Sequence, residues 1–129
     1  MEKKKILIVD DEQDIHVLVK NLLGKDNYEY DFAENGIEGY NKVVSKQPDL
    51  LVLDVQMPEL DGFGMLKKLI EEKKVSDIPV IFLTGIAEKR GAHFKEVDVQ
   101  DYYKSNLISY IEKPFDAEKF KDLVAKKLS

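Results

Sequence analysis

An α/β fold is predicted for this chain of 129 residues: a doubly wound, five-stranded parallel sheet in the order 2-1-3-4-5, with helices on both faces. Three observations predict it. Short apolar runs alternate with amphipathic stretches at helical period, the pattern of repeated βα units. The runs ILIV, LLVL and VIFL are continuously apolar, as strands buried on both faces must be, whereas Tyr28–Phe32 and Ser109–Glu112 alternate, as edge strands do. Four runs also stop at a reactive side chain: ILIV at Asp10-Asp11, LLVL at Asp54, VIFL at Thr84 and SYIE at Lys113-Pro114.

The elements follow in order. A strand Lys5–Val9 leads to a helix near Glu12–Leu23, with Ile15, Leu18, Val19, Leu22 and Leu23 on one face and Gly24 as its stop. A strand Tyr28–Ala33 precedes a helix Gly36–Lys46. Strand Leu50–Asp54 and the loop from Val55 to Leu60 lead to a helix Gly62–Lys74 carrying Phe63, Leu66, Leu69 and Ile70. Strand Val80–Leu83 is followed by a long segment with a helix near Val97–Ser105. Strand Ser109–Glu112 and a helix Ala117–Leu128 close the pattern, with Asp116 as N-cap and Phe120, Leu123, Val124 and Leu128 inward. All four prolines flank strands, where a missing N–H does least harm. With no linker, repeat or low-complexity segment, residues 1–129 are expected to form one domain without an output domain.

Composition narrows the function. Hydrophobic residues make up 43% and charged residues 35%, the balance of a globular domain. The apolar runs are far short of the roughly 20 residues that span a bilayer, and MEKKKILIVDDEQ lacks the long apolar core of a signal peptide. Zero cysteines exclude disulfides, thiolate metal sites and a cysteine nucleophile, and fit a cytoplasmic protein. A net charge of −5 disfavours a nucleic-acid partner, and the lysines alternate with acids on helix faces. His16 and His93 have no metal-ligand spacing and are expected to be ordinary surface or partly buried histidines.

In a 2-1-3-4-5 sheet the ligand crevice lies at the carboxyl ends of the strands, beside strands one and three. Asp10, Asp11 and Asp54 fall there. Two carboxylates ~4 Å apart repel by roughly 4 kcal/mol at an effective dielectric near 20, so three together need a counter-charge. A hard divalent ion with oxygen ligands, Mg²⁺, is the natural one. With Lys113 added, three carboxylates, one divalent ion and one ammonium balance to neutrality, ready for an anionic phosphoryl group. Asp54, on a central strand, is the natural nucleophile; Lys113 and the metal would screen the equatorial oxygens while Thr84 donates a hydrogen bond to one of them. The bond Lys113-Pro114 can adopt the cis form at modest cost. Singly, each residue has an ordinary structural explanation; their convergence on one sheet edge is what favours a site.

These residues resemble the receiver domains of two-component response regulators, through KILIVDDE, PDLLVLDVQMPELDGFGML, IPVIFLTG and YIEKPF. The resemblance implies a flavodoxin-like fold and a phosphorylation-dependent signalling switch rather than an enzyme in the ordinary sense. It implies Asp54 as phosphoacceptor, Asp10 and Asp11 as the acidic Mg²⁺ pair, and the backbone carbonyl of Gln56 as a further ligand. Thr84 is implied as switch hydroxyl, Lys113 as the phosphate-contacting lysine and Tyr110 as the switch aromatic. Implied partners are a sensor histidine kinase or histidine phosphotransfer protein upstream and a protein target in trans downstream. The protein itself is expected to be a monomer or weak dimer, with no nucleic-acid or membrane partner.

Two departures stand out. The 29 positions from Thr84 to Lys113 are several more than the family usually has, and Asn106-Leu107 replaces the usual glycine-alanine turn. The extra residues are placed around Glu88–Glu96, which remodels the face where such domains usually meet partners. Three other readings of the sequence are open. A phosphorylation-independent interaction module would keep the fold but not need the intact acidic set. A phosphatase with an aspartyl intermediate usually carries D-x-D after the first strand, where this chain has Asp10 and Glu12. A flavin or dinucleotide site would need a phosphate-binding loop, and Asp10-Asp11 would repel the phosphates.

Overall fold

The computed structural model describes residues 3–57, 59–85 and 107–129. Its strands are β1 (Lys5–Val9), β2 (Glu29–Ala33), β3 (Leu50–Asp54), β4 (Val80–Thr84) and β5 (Ile108–Glu112). Its described helices are α1 (Gln13–Leu23), α2 (Gly36–Lys46), α3 (Gly62–Glu71) and α4 (Ala117–Leu128). The strands form one parallel sheet in the order β2-β1-β3-β4-β5, as expected. The helix expected near Val97–Ser105 and the extra residues around Glu88–Glu96 lie outside the described residues.

Strand alternation divides the core into two layers. Leu7, Val9, Leu51, Leu53 and Phe82 pack on one face with Val43 of α2 and Phe63, Leu66 and Leu69 of α3. Ile6, Ile8, Leu50, Val52, Ile81 and Leu83 pack on the other with Val19 and Leu23 of α1 and Phe120 and Val124 of α4. β3 and β4 are buried along their whole length, while β2 and β5 are only partly covered, the burial expected of central and edge strands.

Caps fix where the helices begin. Asn35, Asp61 and Asp116 each accept a hydrogen bond from a backbone N–H three residues on, at 2.8, 2.7 and 3.1 Å. Gly24, at φ 91°, ends α1 and donates its N–H to the Lys20 carbonyl, the stop expected from the sequence.

Two expectations need correction. α3 ends at Glu71, not Lys74. Lys73 adopts the left-handed region at φ 57°; its N–H bonds the Ile70 carbonyl and the Lys74 N–H bonds that of Leu69. This is a Schellman closure built on lysine, so no glycine marks it in the sequence. The inward face of α1 is also rotated: Leu18 is 42% exposed, and His16, Val19 and Leu23 are the buried residues. The 3-4 spacing of these three, flanked by Ile15 and Leu22, matches the helical stripe once a histidine is admitted to it.

Candidate functional site

Parallel register brings the four strand ends together. Val9 lies opposite Leu53, Asp54 opposite Leu83 and Thr84 opposite Glu112, so Asp10, Asp54, Thr84 and Lys113 share one edge of the sheet. Gly62 permits the turn out of β3: a Cβ there would stand 2.3 Å from the Asp54 carbonyl oxygen, and its N–H bonds the Val55 carbonyl at 2.8 Å. The Lys113-Pro114 bond is cis, and the Lys113 N–H bonds the Thr84 carbonyl at 2.6 Å.

Asp10 is fully buried, and all its polar atoms are engaged. Its N–H bonds the Ala33 carbonyl at 3.0 Å; Oδ1 accepts from the Glu12 N–H at 2.9 Å; Oδ2 accepts from Lys113 Nζ at 2.9 Å; and its carbonyl lies 2.8 Å from His16 Nε2. Asp54, only 2% exposed, is placed differently. Its Oδ1 has no hydrogen-bond partner among the described residues, and Lys113 Nζ stands 3.5 Å away, an ion-pair distance. Lys113 also approaches Glu12 Oε1 at 3.6 Å, so one ammonium is shared among three carboxylates.

The protonation energetics follow from burial. Desolvation, reinforced by the charges of Asp10 and Asp11, pushes the Asp54 carboxyl up to about 7 against the pull of Lys113. Burial also raises Asp10, only partly offset by the Glu12 N–H and Lys113. Burial pulls the Lys113 ammonium down, but its bond to Asp10 and the charges of Asp54, Asp10 and Glu12 outweigh that and raise it.

The ligand atoms of Asp10, Asp11 and Glu12 lie within 4.8 Å of one another. With Asp54, four carboxylates face one ammonium, an excess of negative charge that a divalent cation with oxygen ligands fits. The Asp54 Oδ1 atom beside this group, at ion-pair distance from Lys113 but without a hydrogen-bond donor among the described residues, suits a cation or phosphoryl group too. Both Asp10 oxygens already accept from protein donors, whereas the Asp11 side chain is exposed.

Of the residues singled out in the sequence, Asp10, Asp54 and Lys113 are brought into contact range, with Thr84 at the neighbouring strand end and Asp11 on the rim. Gln56 follows β3 with its side chain exposed. Tyr110 points into the core layer of α2 and α3, its ring stacked on Phe82 at 5.4 Å and 18°. Two residues were missed. Glu12 belongs to the acidic group by adjacency, which the run of three acids could have signalled. The sequence leads one to expect an ordinary surface or partly buried histidine at His16, yet it is 8% exposed and bonded to the Asp10 carbonyl; its place on the buried stripe of α1 is the available signal.

Comparison with known proteins agrees with the geometry. Residues 6–125 match the family described as response regulator receiver domain. Sporulation initiation phosphotransferase F of Bacillus subtilis is 34% identical over 131 residues, covering 99% of this chain and 96% of that protein. The DNA-binding dual master transcriptional regulator RpaA of Synechocystis is 35% identical over 114 residues; the match covers 88% of this chain but only 44% of that protein. A putative response regulator from Chloroflexus aurantiacus superposes with a TM-score of 0.82 at 24% identity, over 98% of each chain, which bears on the fold alone. Receiver domains are phosphoacceptor switches that bind Mg²⁺ at an acidic pocket and are phosphorylated by histidine kinases. No described helix is long and apolar enough to cross a membrane. A five-stranded 2-1-3-4-5 sheet, an acidic cluster at its carboxyl edge and a family match over most of the sequence lead to one conclusion: this chain belongs to the response regulator receiver domain family.

Proposed function

We propose that Asp54 is the phosphoacceptor of a signalling switch, taking its phosphoryl group from a phosphohistidine on a sensor kinase or phosphotransfer protein and signalling to a protein partner in trans. The observation that carries this reading is the Asp54 Oδ1 atom: buried at the end of a central strand, without a hydrogen-bond donor among the described residues, and 3.5 Å from Lys113 Nζ. An Asp54 carboxylate oxygen forms the new P–O bond while the P–N bond to the donor imidazole breaks, and the imidazole leaves with the electron pair.

Asp11, Asp10, Asp54 and the Gln56 carbonyl are the residues that would hold Mg²⁺, which when bound supplies positive charge to the phosphoryl oxygens. Asp54 must be ionised to act as nucleophile, and Lys113 opposes the burial that would keep it protonated. Once Asp54 is phosphorylated, Lys113 is the nearest ammonium to the new dianion, and the Thr84 hydroxyl, at the adjacent strand end, donates to it. Movement of Thr84 toward the phosphoryl group, with a response of Tyr110 on the neighbouring strand β5, shifts a two-state equilibrium toward the signalling form.

The test is incubation with a small acyl phosphate and Mg²⁺ followed by intact mass measurement. A gain of one phosphoryl group, lost in Asp54→Asn, is expected. An unchanged mass, or a gain that persists in the variant, would refute the assignment and favour a phosphorylation-independent interaction module on the same fold.

A further inference from the structure

We infer that His16 is a positioning residue of the acidic pocket, acting through the Asp10 carbonyl to set the Asp10–Asp11 peptide. The inference deepens the metal-site reading above and rests on it.

Asp10 is the first residue past β1, and its N–H still pairs with Ala33, the last residue of β2. Beyond Ala33 the chain turns into the cap of α2, so the sheet ladder ends there. Among the described residues, the donor to the Asp10 carbonyl is His16, from one turn into α1, with Nε2 at 2.8 Å. A carbonyl oxygen only accepts, so Nε2 must carry the hydrogen. The contact is buried, and an unpaired carbonyl there would be costly.

The consequence is local and directional. The Asp10 carbonyl and the Asp11 N–H belong to one planar peptide unit. Holding the oxygen therefore holds the plane from which the Asp11 side chain departs. His16 is itself braced: its ring lies 5.0 Å from that of Phe32 on β2, tilted by 30°, and it is 8% exposed. Edge strand β2, helix α1 and the loop bearing Asp10, Asp11 and Glu12 are thus joined through one imidazole. Partners that orient metal ligands in this way affect affinity without touching the ion.

Two variants separate the hydrogen bond from the packing. His16→Phe keeps an aromatic ring against Phe32 and removes the donor; His16→Gln keeps an N–H donor at similar reach and removes the ring. Mg²⁺ is titrated into each purified protein, with backbone amide shifts followed by NMR at a temperature where circular dichroism shows every variant folded. His16→Phe is expected to weaken Mg²⁺ binding about tenfold, with His16→Gln recovering most of the loss. Affinity unchanged in His16→Phe, whatever its melting temperature, would overturn the inference; so would His16→Gln as weak as His16→Phe. Should His16→Phe not fold, imidazole nitrogen shifts of the wild-type protein decide: an Nδ1-protonated neutral tautomer overturns the inference, and an Nε2-protonated one supports it. Loss of saturable Mg²⁺ binding in the wild-type protein would instead remove the metal-site reading itself.

Discussion

Replacing Asp54 with asparagine is expected to stabilise the metal-free protein, and the gain should grow with pH. Raising the Asp54 carboxyl from 3.8 to about 7 corresponds to roughly 4 kcal/mol of penalty on the ionised form. Between those values the native state binds more protons than the unfolded one, so stability falls as pH rises through the window and levels off above it. At pH 8 the full penalty applies, whereas at pH 5 the native carboxyl is largely protonated and roughly 1.5 kcal/mol of it is felt. The attraction of Lys113 is already contained in that value; what offsets part of the gain is the cost of burying the asparagine amide at the same site. A net stabilisation of about 2 kcal/mol at pH 8 remains, equivalent to a melting temperature roughly 8 °C higher, with less than half of that at pH 5. Thermal unfolding by circular dichroism at both pH values, with and without Mg²⁺, measures this directly. Mg²⁺ should raise the melting temperature of the wild type at pH 8 and have little effect on the variant. An Asp54→Asn protein no more stable than the wild type at pH 8, or equally stabilised at both pH values, would refute the electrostatic account.

Three further outcomes are expected. Lys113→Met leaves Asp10 and Asp54 buried without their ammonium and should destabilise by about 3 kcal/mol at pH 8. The loss should shrink at pH 5, and a pH-independent urea unfolding difference would contradict the shared-ammonium arrangement. Asp11→Asn should abolish Mg²⁺-induced stabilisation while changing metal-free stability by no more than about 0.5 kcal/mol, because the side chain is exposed; retained metal response in a Mg²⁺ titration would reassign the ligand. Gly62→Ala drives a Cβ to 2.3 Å from the Asp54 carbonyl oxygen and should cost about 2 kcal/mol and slow phosphorylation of Asp54; wild-type kinetics with acyl phosphate would show that the turn relaxes without moving Asp54.

The strand order was legible because burial on both faces forbids polar residues in the central strands. The unbroken apolar runs of β1, β3 and β4 and the alternation in Tyr28–Phe32 and Ser109–Glu112 therefore map directly onto centre and edge. Helix starts were legible for a similar reason, since Asp116 caps with a side chain the sequence displays. The end of α3 was not. A left-handed lysine at Lys73 carries none of the signal a glycine would, and the tertiary backbone bonds decided it.

The candidate site divides along the same line. Residue type and position at strand ends, read from the sequence alone, were enough to single out Asp10, Asp11, Asp54, Thr84 and Lys113, because parallel strands must deliver their carboxyl ends to one edge. Which oxygen is satisfied and which is left without a donor depends on distances that periodicity does not encode. Only the folded chain shows Lys113 hydrogen-bonded to Asp10 and at ion-pair distance from Asp54, Glu12 drawn into the acidic group, and His16 turned inward beneath the Asp10 carbonyl. Period and polarity specify which face of an element is buried; the partner each buried polar atom finds is fixed by contacts between segments far apart in the chain, and those exist only after the sheet has formed.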